Sequence, residues 1–228
     1  MTEITYHLAE IRERVSVALE GAGRGGEHVM IVAVSKQQTA DAIRAAHAAG
    51  QTRFGESYVQ EALPKISALR DLPLEWHFVG PVQANKTRAI AESFQWVHSV
   101  DRAKIARRLH AQRPFHAPPL NVLIQVNLAA ETSKRGTRAG EIPALAALIG
   151  ELTRLRLRGL MGIAPARAEA GEAARYFGGL RELQRDLETA GIVTDTLSMG
   201  MSGDFEIALA NGSTCVRIGA AIFGARHG

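Results

Sequence analysis

Lysine is scarce in this chain, five of 27 basic residues, and one of the five, Lys36, directly follows the apolar run Ile31-Val32-Ala33-Val34-Ser35. A lysine ending a buried strand either snorkels out to solvent on its own stem or faces a partly dry cavity. In the second case lost hydration favours the neutral amine, the nucleophile of Schiff-base chemistry with a carbonyl. A second chemical signal lies near the other end of the sequence, in Met199-Gly200-Met201-Ser202-Gly203 and Gly219-Ala220-Ala221. Ser202 is expected to cap a helix running to Ala210 while sharing its hydroxyl with an anion, and Gly219 and Ala220 offer N–H groups that an anion can approach closely. Packing at a sheet end is the plainer use of such small residues. Asp204 suits a helix start but repels an anion unless it is turned away. Arg217, within Cys215-Val216-Arg217-Ile218, is either an ion-paired structural residue or a permanent cation at a ligand.

Other constellations lead nowhere. The segment Gly200–Asp204 lacks the last glycine of a nucleophile elbow. The eight histidines show no metal-ligand spacing, and the single cysteine, Cys215, has no partner for a metal or a disulfide. His77 and His98, placed near strand ends, read as structural groups rather than ligands.

These residues need a scaffold, and the hydropathy pattern supplies one. Strands are expected at 31–35, 53–55, 75–79, 96–100, 120–126, 155–163, 193–199 and 215–218. Helical stretches separate them: 39–49 capped by Thr39, 56–69, 82–94, a helix capped by Asp101 and ending near Ala111, 140–152, and the stripe Ala173, Tyr176, Phe177, Leu180, Leu183 and Leu187. An N-terminal helix over residues 1–22, with Ile4, Leu8, Ile11, Val15 and Leu19 on one side, precedes the first strand. Strict alternation implies a parallel sheet. Eight units favour a closed (β/α)8 barrel in a single domain, with the chemistry at the C-terminal strand ends, where Lys36, Ser202 and Gly219 all fall. No Gly-x-Gly-x-x-Gly follows the first strand, against a dinucleotide fold.

Composition sets the outer bounds. The 228 residues are 46% hydrophobic and 22% charged, within ordinary globular usage. The first twenty residues interleave charge with apolar positions, unlike a secretory signal, and no apolar run reaches membrane-span length, so a cytoplasmic protein is expected. The net charge of +4 comes from arginines mixed with acids along helices, which reads as a solvated face. A basic RNA-binding role rests on that charge alone, since the aromatic residues are too few and scattered to form a stacking platform.

Read in order, the chain resembles the pyridoxal phosphate (PLP) homeostasis proteins, the proline synthase co-transcribed family, from Ile31 to Gly224. The resemblance is carried by Ala33-Val34-Ser35-Lys36, Phe54-Gly55-Glu56, Trp76-His77-Phe78-Val79-Gly80, Gln83-Ala84-Asn85-Lys86 and His98-Ser99-Val100-Asp101. The second half adds Gln125-Val126-Asn127, Ser133-Lys134-Arg135-Gly136, Gly159-Leu160-Met161, Leu197–Ser202 and Gly212–Gly219. It implies the barrel of fold-type III PLP proteins, with PLP held as an aldimine on Lys36. Ser202, Gly219 and Ala220 would hold the phosphate, Arg217 would face the pyridine ring, and Asn85 and Met199 would be further cofactor contacts. An arginine there keeps the ring nitrogen unprotonated and weakens the electron sink, which suits retention of PLP better than turnover.

The family implies a non-catalytic role in PLP balance, with apo-PLP enzymes as recipients and a monomer or weak homodimer as the assembly. The alternative is a PLP-dependent amino-acid racemase. That activity needs a second β-rich domain and a tyrosine acid/base, for which only Tyr6, Tyr58 and Tyr176 exist and too little chain follows Gly224. Ser57 stands where the family has asparagine, Pro81-Val82 and Gly162–Pro165 also depart from its pattern, and a second PLP site at Lys134 or Lys86 stays open.

Overall fold

In the computed structural model, which describes residues 2–128, 135–165 and 168–224, eight parallel strands close into a barrel in sequence order. They are β1 (Met30–Val34), β2 (Arg53–Glu56), β3 (Glu75–Phe78), β4 (Trp96–Val100), β5 (Leu120–Gln125), β6 (Leu155–Met161), β7 (Thr196–Ser198) and β8 (Cys215–Ile218). The helices between them are α2 (Ala40–Ala48), α3 (Val59–Ala68), α4 (Thr87–Ser93), α5 (Ala103–Gln112), α6 (Ile142–Glu151), α7 (Ala170–Thr189) and α8 (Phe205–Ala210); α9 (Ala220–Phe223) follows β8. The barrel closes where β1 pairs with β8, Met30 opposite Cys215 and Ala33 opposite Ile218. The expected (β/α)8 architecture is therefore the observed one.

Period-two alternation sorts the strand residues into two environments. Val97 of β4 faces the main core between sheet and helices, as does Val100 beyond an irregularity in the strand, whereas Trp96 joins Leu123 and Met161 in a separate small cluster inside the barrel. The rest of the interior is unusually polar: His77, His98, Ser198 and Arg217 are all at most 5% exposed. Outside, α1 (Glu3–Gly21) buries Leu8, Ile11, Val15 and Leu19. It packs on α2, α8 and α9, covering the seam where the short α8 and α9 leave the outer layer thin.

Several local expectations need correction. Ser202 does not cap α8; the N-cap position is Asp204, and the Ser202 hydroxyl accepts instead from the Ala221 N–H at 3.4 Å. Asp101 does not cap α5 either: Arg102 is the N-cap residue, and the Asp101 carboxylate pairs with the Arg102 guanidinium at 2.6 Å. Glu56 ends β2 rather than starting a helix, and α3 begins at Val59. The stretch before α4 is a 3-10 turn, Ala84–Lys86. The seventh strand is only three residues long, with Val193 84% exposed before it. Thr39, by contrast, caps α2 as expected, accepting from the Ala42 N–H at 3.2 Å.

Candidate functional site

At the C-terminal ends of the strands a cavity of about 340 Å³ is lined by Lys36, Ser57, Ser202, Arg217, Gly219 and Ala220, with Val79, Ile163 and Met201 as apolar walls. Five of the seven predicted cofactor residues thus meet in one place although up to 184 positions separate Lys36 from Ala220. The other two do not line it. Asn85 is exposed on the 3-10 turn, and Met199 is fully buried in the main core just beneath the rim. Lys86 lines a smaller adjoining cavity of about 160 Å³ with Tyr58, Gln83 and Arg135, sharing Ser57. Lys134 lies outside the described residues. A cavity of about 450 Å³ at the opposite end, between α1 and the strand starts, contains none of these residues.

Lys36 stands on a braced turn. Gln37, immediately after it, has φ +63°, a left-handed conformation uncommon for a residue with a side chain. The turn is held from both sides. Before Lys36, the Ser35 carbonyl accepts from Lys65 Nζ at 2.8 Å and the Ser35 hydroxyl donates to Glu56 Oε1 at 2.6 Å. After it, the Gln37 N–H donates to Glu61 Oε1. Lys65 joins the two halves, donating to Glu56 at 2.9 Å and Glu61 at 2.5 Å. Burial raises the Glu56 carboxyl above its usual value, against the lowering effect of Ser35 and Lys65. The sequence pattern missed Lys65 and Glu56 as support for Lys36. The signal was present as a lysine on the inward face of α3, four residues after Glu61.

Arg217 is 5% exposed. Its Nη1 donates to the Ser198 carbonyl at 2.7 Å and the Ser198 hydroxyl at 2.6 Å, and Nη2 donates to the Gly162 carbonyl at 2.9 Å. Among the described residues no carboxylate pairs with it. It is a buried cation solvated by neutral acceptors, and burial pushes its guanidinium below the ordinary arginine value. Of the two early alternatives, an ion-paired structural arginine is therefore not what the barrel holds. Three of its five N–H groups are engaged, and the residue lines the cavity.

The anion-accessible side is built on close backbone approach. A Cβ at Gly219 would stand 3.2 Å from the Val34 carbonyl oxygen, a tight approach of the segment after β8 to β1 at the rim. Gly200, at φ +97°, leaves 2.7 Å between a hypothetical Cβ and that of Ala208, and its carbonyl accepts from the Arg217 N–H at 3.0 Å. Asp204 is tied to the loop before it: its Oδ1 accepts from the Met201 N–H at 2.6 Å. Cys215 is unsuited to nucleophilic work, because burial pushes its thiol up to about 11. None of Tyr6, Tyr58 and Tyr176 lines the cavity.

An amine at a rim, a buried guanidinium and a glycine-lined corner at the closing strands thus meet in one cavity of a closed (β/α)8 barrel. Residues 6–227 match the family described as the alanine racemase N-terminal domain. The chain is 54% identical over 226 residues to the pyridoxal phosphate homeostasis protein of Pseudomonas aeruginosa, covering 99% of this chain and 97% of the relative. It is 50% identical over 234 residues to the protein of the same name from Escherichia coli K12, covering 99% and 98%. PipY of Synechococcus elongatus, solved with PLP bound, superposes with a TM-score of 0.86 at 36% identity, covering 97% of this chain and all of that one. The chain belongs to the pyridoxal phosphate homeostasis protein family.

Among the described residues no helix is long and apolar enough to cross a membrane.

Proposed function

We propose that this protein binds PLP at the cavity around Lys36 and holds it in reserve without turning over a substrate. The observation that carries this reading is the convergence of Lys36, Ser202, Arg217, Gly219 and Ala220 on one cavity, in a chain whose structural relative PipY was solved with PLP. The donor set fits the group. PLP when bound supplies an aldehyde that condenses with a primary amine, together with a phosphate and a pyridine ring. Lys36 provides the amine on a turn fixed by Glu56, Glu61 and Lys65. Ser202, Gly219 and Ala220 provide the hydroxyl and the close backbone that an anion needs. Arg217, carrying its proton permanently, keeps the facing ring nitrogen a hydrogen-bond acceptor and so limits electron withdrawal from the reactive carbon.

Storage rather than racemisation is supported by the relatives of 50–54% identity, which are named homeostasis proteins. Recipients of the stored cofactor are apo-PLP enzymes, and the protein acts in the cytoplasm as a single barrel domain, monomeric or weakly dimeric. In the test, purified protein loaded with PLP is reduced with borohydride and every pyridoxyl-lysine is located by mass spectrometry. The expected label is on Lys36. A Lys36→Ala variant with an undiminished reducible chromophore, or turnover of a single amino-acid enantiomer at enzyme-like rates, would overturn the reading.

A further inference from the structure

The interior of the barrel holds polar groups that the binding site does not use. Glu75, His77, His98 and Ser198 form a continuous line of hydrogen bonds ending at Arg217. Glu75 Oε1 is 3.0 Å from His77 Nε2, His77 Nδ1 is 2.9 Å from His98 Nε2, and His98 Nδ1 is 2.9 Å from Ser198 Oγ. Ser198 Oγ in turn is 2.6 Å from Arg217 Nη1. His77, His98 and Ser198 are each 0% exposed. Glu75 starts β3 at the opposite end of the barrel, where Arg53 Nε also donates to its Oε1 at 3.1 Å. Trp96 stacks on His77, with ring centroids 5.3 Å apart and planes within 10°, which fixes that imidazole's plane.

The Glu75 end of the line sets the proton arrangement, and the Arg217 end agrees with it. A guanidinium only donates, so Ser198 Oγ accepts from Arg217 and keeps its own hydrogen for another acceptor. A carboxylate only accepts, and the hydrogen bond from His77 holds Glu75 down at about 2, so His77 carries its proton on Nε2. His77 Nδ1 is then an acceptor, and His98 must carry its proton on Nε2 to reach it. His98 Nδ1 is left as an acceptor, which draws the Ser198 hydrogen to it and agrees with Ser198 accepting from Arg217. Every link has one proton, and all the bonds point from Arg217 toward Glu75.

We infer that Glu75, His77, His98 and Ser198 are positioning residues that act through Arg217, forming a one-directional hydrogen-bond chain through the barrel axis that fixes the guanidinium presented to the cofactor ring. The chain supplies polarised neutral acceptors to a buried cation that pairs with no carboxylate among the described residues, and aligned hydrogen bonds reinforce one another. It also makes the far mouth of the barrel a place from which the cofactor site can be perturbed. The inference rests on the PLP reading for the ring contact alone.

The test reads imidazole tautomers by 15N NMR of the full-length protein without PLP, so that its outcome does not depend on cofactor binding. His77 and His98 are both expected as Nε2–H. Glu75→Met removes the terminal acceptor, and His98, which does not touch Glu75, is expected to become a mixture of tautomers. Glu75→Gln keeps a carbonyl oxygen in place and restores the single form. Ser198→Ala, approached from the other end, should leave both tautomers intact and move the His98 Nδ1 resonance toward that of a free acceptor; this arm stays readable if Glu75→Met fails to fold. A wild-type His98 protonated on Nδ1, or a His98 unchanged in both variants, overturns the chain. With PLP added, Glu75→Met and Ser198→Ala should weaken retention about fivefold, the loss expected from one misdirected hydrogen bond, while Glu75→Gln stays within about twofold of wild type. Intact tautomer responses with unchanged PLP retention overturn the link to Arg217, and no PLP uptake by the wild type sinks the functional reading while the apo NMR still decides the chain.

Discussion

Acid should loosen this barrel well before its surface carboxylates are protonated. His98 is held neutral by burial, well below the ordinary imidazole value, with the nearby His77 and Arg217 adding to the effect. His77 is lowered by burial too, against the opposing pull of Glu75. In the unfolded chain both imidazoles titrate near the usual value of about 6.5. Below that pH the unfolded state binds protons that the folded state refuses, so stability is complete above about 6.5 and falls as the pH drops. An imidazole that stays neutral in the fold costs about 1 kcal/mol between pH 7.5 and 5.5, so His98 and His77 together cost on the order of 1–2 kcal/mol. For a chain of this length that corresponds to a fall in Tm of about 2–8 °C. Thermal or urea unfolding of the apo protein at half-unit pH steps measures it. His98→Leu is expected to be less stable at pH 7.5 yet to lose about half of the pH slope. A wild type whose Tm is flat from 7.5 to 5.5, or a variant with the full slope, would refute the claim that these rings are buried and neutral. At lower pH Glu75, held at about 2, adds a further loss as the pH falls from the usual carboxylate range toward that value.

Four other outcomes follow from the geometry. Saturating PLP, at about a hundredfold its Kd, should stabilise the fold by about 2.7 kcal/mol and raise Tm by about 5–10 °C, and Lys36→Ala should lose most of that rise in a thermal-shift assay. Lys65→Met leaves the buried Glu56 carboxylate without its cation, a loss of about 3–5 kcal/mol in urea unfolding, and a Lys65→Met/Glu56→Gln double variant should recover part of it. Gly200→Ala combines a left-handed backbone with a Cβ 2.7 Å from Ala208, so about 2–4 kcal/mol of stability should be lost together with PLP affinity. Ser202→Ala should weaken PLP about fivefold in a fluorescence titration, the loss of one hydrogen bond to an anion, with Tm of the apo protein nearly unchanged.

The fold was legible because hydropathy alternated so regularly. The Leu120–Gln125 strand and the Phe177–Leu180–Leu187 stripe carry their own periodicity, and eight such pairs leave few architectures open. Lys36, Arg217 and Gly219 were visible because each interrupts an apolar run at the end that a barrel reserves for chemistry. What local pattern could not show was pairing across the barrel. Ser202 has the residue type and position of a helix cap, but Asp204 occupies that place and the serine turns to Ala221 instead. Asp101 lost its expected helix by one residue, being drawn to Arg102. His77 and His98 read as structural because each was weighed alone. Their meaning lies in a contact across 21 positions, and in the 100 positions between His98 and Ser198, which no window of neighbouring residues contains.

The seam between β1 and β8 has a consequence for biogenesis. His7 on α1 meets the Ile222 carbonyl at 3.1 Å, a contact spanning 215 positions, and the circle of strands is joined by residues from the two ends of the described chain. A growing polypeptide carrying only the first seven strands is an open, curved sheet with two bare edges, the situation in which chains stick to one another. Lys36 is synthesised early, but Arg217, Gly219 and Ala220 are among the last residues to arrive, so the pocket matures only at ring closure. Vitamin capture would then report a finished ring, and a supply of the vitamin would favour completed molecules over stalled ones.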